Sequence, residues 1–169
     1  LLMFNKAILP ILLVLVFTVA AIGQLRLASQ IGDGAVLQQQ SEVVLWGWGT
    51  PGEGIDVKAS WLKKPRRVVA GKDGLWEVKV QTPKADLRKT HLSEVQGAGA
   101  KVTSRDILFG EVWVCSGQSN MQWTMGRIGR TPKKEGNSDG LKAGQLSVIR
   151  MYVVPHQFAL QPVESTEGK

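Results

Sequence analysis

A serine in a tight polar turn is the residue of this 169-residue chain best placed to do chemistry. Ser119 lies in Ser116-Gly117-Gln118-Ser119-Asn120, directly after the apolar run Val112-Trp113-Val114-Cys115. A serine hydroxyl is a poor nucleophile until a base removes its proton and donors hold the developing oxyanion. A position just past the carboxyl end of a buried strand serves both needs. Ligands of open α/β sheets gather at that edge, and a following helical turn offers free backbone N–H groups. Gly117 permits a close approach, Gln118 and Asn120 bring amides beside the hydroxyl, and Trp123 follows where a pocket wall would stand. The Gly-x-Ser-x-Gly elbow of ordinary α/β-hydrolases does not fit, because Met121 occupies the place of its second glycine. On spacing alone, a serine in such a turn serves more often as a helix cap than as a nucleophile, so both roles stay open at this point.

The other reactive side chains are few. Cys115 is the single cysteine, so no internal disulfide can form. Its place after an alternating apolar run predicts a buried core thiol. The two histidines are His91 and His156, and no aspartate is followed by a histidine three residues later. Asp86 comes nearest, with His91 at plus five. His156 directly follows a second apolar run and is expected either on an exposed loop or at a sheet edge. The formal charge of +7 is split between separate clusters, Lys63, Lys64, Arg66 and Arg67 in one and Lys133 and Lys134 in another. A nucleic-acid binder gathers such charge on one face, so no nucleic-acid partner is expected. The first cluster could attract an acidic sugar, but a solvated turn is its default role.

Stepping along the chain, Lys6 precedes an apolar run from Ala7 to Ala21, and Ala21 and Gly23 supply small residues before Gln24. That is the form of a secretory signal peptide, so residues 1–23 are expected to be a leader. An uncleaved membrane anchor is the alternative. Residues 24–106 read as short strands with turns between them. Val43–Trp46 opens one strand, and Gly47 to Gly54 breaks it. Ile55, Val57, Ala59 and Trp61 alternate with polar residues, and so do Trp76, Val78 and Val80. Gly71-Lys72-Asp73-Gly74 is a hairpin signal, and further strands are expected at His91–Val95 and Val102–Leu108. This spacing predicts an antiparallel β-sandwich, with Trp46, Trp61 and Trp76 inside and one tryptophan free to serve as a sugar platform. After Gly110 the character changes. Glu111–Cys115 reads as a strand buried on both faces, Met121–Gly126 could open a helix, and Val148–Val154 reads as another strand. Strand, turn, helix, loop and strand is the opening of an α/β domain over 107–169.

The run Gly110-Glu111-Val112-Trp113-Val114-Cys115-Ser116-Gly117-Gln118-Ser119-Asn120-Met121-Gln122-Trp123 closely resembles the nucleophile block of the sialate O-acetylesterase family, which is of the SGNH hydrolase type. Val44-Leu45-Trp46-Gly47-Trp48, Pro51-Gly52-Glu53 and Asp73-Gly74-Leu75-Trp76 look like its N-terminal β domain, and Ile149–Pro155 is similar to its second core strand. The resemblance implies a flavodoxin-like esterase domain that removes acetyl groups from sugar hydroxyls. It implies Ser119 as nucleophile, with its own backbone N–H as an oxyanion donor. It places a further glycine and asparagine donor on later blocks, and the base in an Asp-x-x-His pair near the family's C-terminus. It implies no metal or organic cofactor, and an O-acetylated sugar, sialic acid or another acetylated glycan, as the partner. The missing Asp-x-x-His pair, and a stretch after Gly110 shorter than the ~100–150 residues of an ordinary domain, lead to the expectation of a truncated enzyme. Export to a periplasm, a lysosome or the medium is expected. The competing class is a non-catalytic, exported carbohydrate-binding β-sandwich module, and a third is a surface domain held by an uncleaved N-terminal segment.

Overall fold

The computed structural model describes residues 25–123 and 148–155, together with positions 158, 160, 161 and 163. The leader expected at 1–23, the loop at 127–144 and His156 lie outside the described residues. The described residues form strands β1 (Arg26–Leu27), β2 (Val36–Gln38), β3 (Glu42–Trp48), β4 (Gly54–Ala59), β5 (Arg66–Val69), β6 (Leu75–Gln81), β7 (His91–Gln96) and β8 (Lys101–Gly110). Short 3₁₀ turns occur at Ser29–Ile31 and Ser119–Gln122, and no α-helix is found among the described residues.

Period-two patterning decides which faces are buried. In β6, Trp76, Val78 and Val80 are buried while Leu75, Glu77, Lys79 and Gln81 are exposed. The strands make a three-stranded sheet, β1-β3-β6, and a five-stranded sheet, β2-β8-β7-β4-β5. The second is mixed, because β2 runs parallel to β8 while its other neighbours are antiparallel. Both sheets contribute to one core. Leu45, Trp76, Val78 and Val80 come from the first, and Ile55, Val57, Val95, Ile107 and Phe109 from the second. Each such side chain stabilises the fold by about 1.5–3 kcal/mol on leaving water, which is what joins the sheets.

The local expectations fare unevenly. Trp76 is buried as expected, whereas Trp46 and Trp61 are only half-buried and pack against the margin of the core. Gly47 does not break β3 but lies within it, opposite Trp76 of β6. A Cβ there would stand 2.1 Å from the Arg26 carbonyl oxygen and 2.9 Å from Trp76 Cζ2, so the strand needs a residue without a side chain. The turn at Gly71–Gly74 forms, with Gly74 at φ +81° and its N–H donating to the Gly71 carbonyl at 3.0 Å. It does not make a hairpin, however. β5 pairs with β4 in one sheet and β6 with β3 in the other, so the turn carries the chain across the core.

Two expected strands are absent. Glu111–Cys115 forms no strand, and Trp113 and Val114 are 84% and 92% exposed. Cys115 is exposed as well, not a core thiol. Val148–Val154 is likewise unpaired, with Ile149, Met151, Val153 and Val154 exposed. An apolar run reports a demand for cover on both faces, and it becomes a buried strand only where neighbouring strands and helices supply that cover. Among the described residues no element lies over either segment.

Candidate active site

The route to Ser119 begins in β8. Opposite β7 the register shifts between His91, which pairs with Ile107, and Ser93, which pairs with Ser104. The extra residue falls on β8, where Asp106 takes φ +57°. This is a β-bulge, and it shifts the alternation so that Ser104 and Ile107, three positions apart, are both buried, with Leu108 and Phe109 buried after them. It also turns the Asp106 backbone outward. Arg150 grips it, donating through one guanidinium nitrogen to the Asp106 carbonyl and through Nη2 to Asp106 Oδ2 at 3.0 Å. Tyr152 shares a hydrogen bond with Ser29 across 2.7 Å between the hydroxyl oxygens. The segment 150–152 is thereby held on the β-sheet body although it forms no strand.

A second clasp fixes the chain as it leaves β8. The Glu111 carboxylate accepts from Gln38 Nε2 at 2.9 Å and from Gln39 Nε2 at 2.8 Å. Gln38 Oε1 accepts the Val112 N–H at 2.9 Å, and Gln39 N–H donates to the Gly110 carbonyl at 2.9 Å. Gln39 Oε1 in turn accepts the Ala85 N–H at 2.8 Å. The Gln38 amide first, and the Gln39 amide second, hold the Glu111 carboxyl below the usual carboxylate range, because both stabilise the charged form. Sequence reasoning included Glu111 in the resembling block but gave it no role. The only signal was the adjacent pair Gln38-Gln39, and nothing local links it to a residue more than seventy positions away.

Past this clasp the chain has no regular secondary structure until it enters the 3₁₀ turn Ser119–Gln122. The Met121 N–H donates to the Gln118 carbonyl at 2.9 Å, closing the turn. Met121 folds back over Gly117, and a Cβ at Gly117 would lie 2.7 Å from Met121 Cγ. The close approach read into Gly117 is therefore one to its own turn. Ser119 is exposed at the first position of the turn, Asn120 follows in its backbone, and Trp123 is half exposed just beyond it. Ser119 is thus presented on a 3₁₀ turn, and residues 124–126 of the helix expected at Met121–Gly126 lie outside the described residues.

The remaining candidates are engaged elsewhere. His91 is buried on β7, its ring against Trp61 and Phe109 and its Nδ1 sharing a hydrogen bond with Ser60 Oγ at 3.1 Å. Burial, and then the neighbouring Lys89 charge, push its pKa below the ordinary value, with Asp86 opposing. Asp86 Oδ1 accepts the Arg88 N–H at 3.1 Å, a local turn contact. Asp86 and His91 therefore do not form an acid–base pair with each other. Glu53, within the Pro51-Gly52-Glu53 motif, ties two loops together by accepting the Thr50 N–H at 3.0 Å and the Ala98 N–H. The Ala98 bond, chiefly, keeps its carboxyl below the usual range. Among the described residues no cluster of three or more His, Cys, Asp or Glu side chains is arranged to hold a metal.

No family model matches the chain. Sialate O-acetylesterases do match it: the protein from Pongo abelii is 33% identical over 140 residues, covering 78% of this chain and 26% of the relative. The protein from Homo sapiens is 33% identical over 121 residues, covering 67% and 23%. The chain spans about a quarter of the length of these curated relatives. The crystal structure of a carbohydrate acetylesterase from Xanthomonas citri superposes with a TM-score of 0.69 at 29% identity, over 85% of this chain and 32% of that one. Sequence and architecture thus point the same way as the Gly117-Gln118-Ser119-Asn120-Met121 turn and the β domain that carries it, and the chain belongs to the sialate O-acetylesterase family.

Proposed function

We propose that the protein carrying this chain is an exported serine esterase that removes O-acetyl groups from sugars, with sialic acid as the first substrate to test. The observation that carries the proposal is the exposed Ser119 turn, presented at the end of a segment clasped to the β-sheet body through Glu111. In this reading Ser119 Oγ attacks the acetyl carbonyl carbon and passes its proton to a histidine base. The backbone N–H of Ser119 helps hold the tetrahedral oxyanion. Collapse releases the sugar hydroxyl with that proton and leaves an acetyl-serine. Water then attacks the acyl group, acetate leaves and Ser119 is regenerated. Gly117 and Asn120 shape the turn, and Gln118 and Trp123 line the approach of the sugar. No cofactor enters. Residues 24–106 act as a β-sandwich support, 107–169 open an SGNH-type domain, and 1–23 direct export.

None of the 169 residues supplies an Asp-x-x-His pair, and the family carries its base on a later block. The test therefore compares this chain with a protein of the relatives' full length. The full-length protein should release acetate from O-acetylated sialic acid, and Ser119→Ala should abolish it, a loss on the order of 10⁶ in rate. A serine-directed organophosphonate should label Ser119 there and leave this chain almost untouched. Full activity in the Ser119→Ala protein would end the nucleophile assignment and favour a non-catalytic glycan-binding module. Efficient labelling of the chain alone would show that a base is already present.

A further inference from the structure

The outward face of β3 carries a feature that the esterase chemistry does not use. Leu45 and Gly47 are buried, and the alternate residues Trp46 and Trp48 lie on the other face of β3, half-buried at the margin of the core. Their ring centroids stand 5.1 Å apart with planes at 61°, an edge-to-face pair. Leu75, which pairs with Trp48 across β3 and β6, and Asp73 complete a cleft of about 290 Å³ with the two indoles. Trp48 is held on one ring face, because the Arg26 guanidinium carbon lies 3.7 Å from its ring centroid. Asp73 is pinned too, its Oδ1 accepting the Leu75 N–H at 3.0 Å. An ionised carboxylate offers about four acceptor sites, so most of its capacity remains for a ligand.

Two rigid indole faces at an angle, with a carboxylate at the rim, match one class of small molecule well. The negative face of an indole attracts polarised C–H groups, and a pyranose presents several of them on one side of its ring. Its hydroxyls are donors that a carboxylate can accept. The volume is at the small end of the ~300–1,000 Å³ typical of ligand pockets, which suits one or two sugar rings and not a peptide. The carboxylate among the lining residues selects against an acidic sugar. We propose that Trp46, Trp48, Asp73 and Leu75 form a binding subsite for a neutral hexopyranose, on the opposite sheet from the one that leads to Ser119. Because both rings are already held by the fold, little ordering cost is left for binding. In a glycan esterase such a subsite would hold a neutral sugar of the same glycan whose acetylated residue reacts elsewhere.

The test is equilibrium titration of the chain with lactose and with cellobiose, followed by indole fluorescence, with free N-acetylneuraminic acid as the acidic comparison. Saturable binding of a neutral disaccharide is expected, with Trp48→Ala and Asp73→Asn each weakening it roughly tenfold or more. Asp73→Asn keeps the Oδ1 acceptor for Leu75, so it tests the charge without removing the turn. Ser119→Ala should bind as the parent does, which separates this subsite from the fate of the esterase proposal. Absence of saturable binding for both disaccharides, or equal binding in Trp48→Ala, overturns the proposal. So does binding of the free acidic sugar in preference to both. A change in oligomeric state in Trp48→Ala without sugar binding would instead make the face a protein interface.

Discussion

Trp76 offers a measurable check on how the two sheets are joined. The side chain is 1% exposed and lies across Gly47, and its indole Nε1 finds no hydrogen-bond partner among the described residues. Trp76→Ala leaves a large cavity in the core that both sheets share, and should cost about 3–5 kcal/mol. Domains of ordinary size hold only about 5–15 kcal/mol in total, so the variant should be near the limit of folding. Trp76→Phe behaves differently. It removes about 40 Å³, which at ~24 cal/mol per Å³ costs about 1 kcal/mol. It also removes a buried donor whose desolvation costs about 1–3 kcal/mol, so the net change should lie between none and a gain of about 2 kcal/mol. Urea unfolding followed by far-UV circular dichroism, extrapolated to water, measures both variants without relying on the lost fluorophore. A loss below about 1 kcal/mol in Trp76→Ala would refute the shared core. A loss of about 2 kcal/mol in Trp76→Phe would show that Nε1 is hydrogen-bonded in solution.

Gly47→Ala should lose about 1–3 kcal/mol by the same unfolding assay, since its Cβ meets backbone that cannot yield. The pH dependence of stability should carry the mark of His91, whose folded pKa is depressed below the ordinary 6.5. Its contribution is complete above that value and is lost as pH falls from there through the lowered folded pKa, because the unfolded chain takes the proton first. His91→Gln should flatten that part of the profile, and an unchanged slope would show that another group titrates there. For Glu111, whose folded pKa is lowered from 4.5, the clasp should persist above that value and release as pH falls through the lowered one. The side-chain amide resonances of Gln38 and Gln39 should shift together in that window, and should do so no longer in Glu111→Gln.

How much of this was legible in the sequence depends on whether a residue's partner is near in the chain. β6 was readable because Trp76, Val78 and Val80 alternate with polar neighbours, and Gly74 because a positive φ demands it. The destination of the turn at Gly71–Gly74 was not. A hairpin and a crossing between sheets use the same local chemistry, and only the pairing of β6 with β3, set by seven matched positions, decides between them. Trp46 reads as a core residue because tryptophan on a strand usually goes inward. The decisive fact is the glycine between Trp46 and Trp48, which lies against Trp76 and leaves both indoles half-buried on the other face of the strand, at the margin of the core.

The segment 111–123 shows the same division at the candidate site. Its composition predicts burial of Val112, Trp113 and Val114, and the structure leaves them exposed, because burial is a property of what lies over a strand and not of the strand alone. Its attachment is polar and distant. Glu111 is held by Gln38 and Gln39 of the β2 end, while Arg150 and Tyr152 reach back to Asp106 and Ser29. These contacts fix where the chain leaves the β-sheet body without requiring the apolar run to be covered. The β domain is therefore more than a neighbour of the serine turn. It sets the direction from which Ser119 is presented, and a loosened clasp at Glu111 should disturb that turn before it disturbs the core, which none of the clasp residues enters.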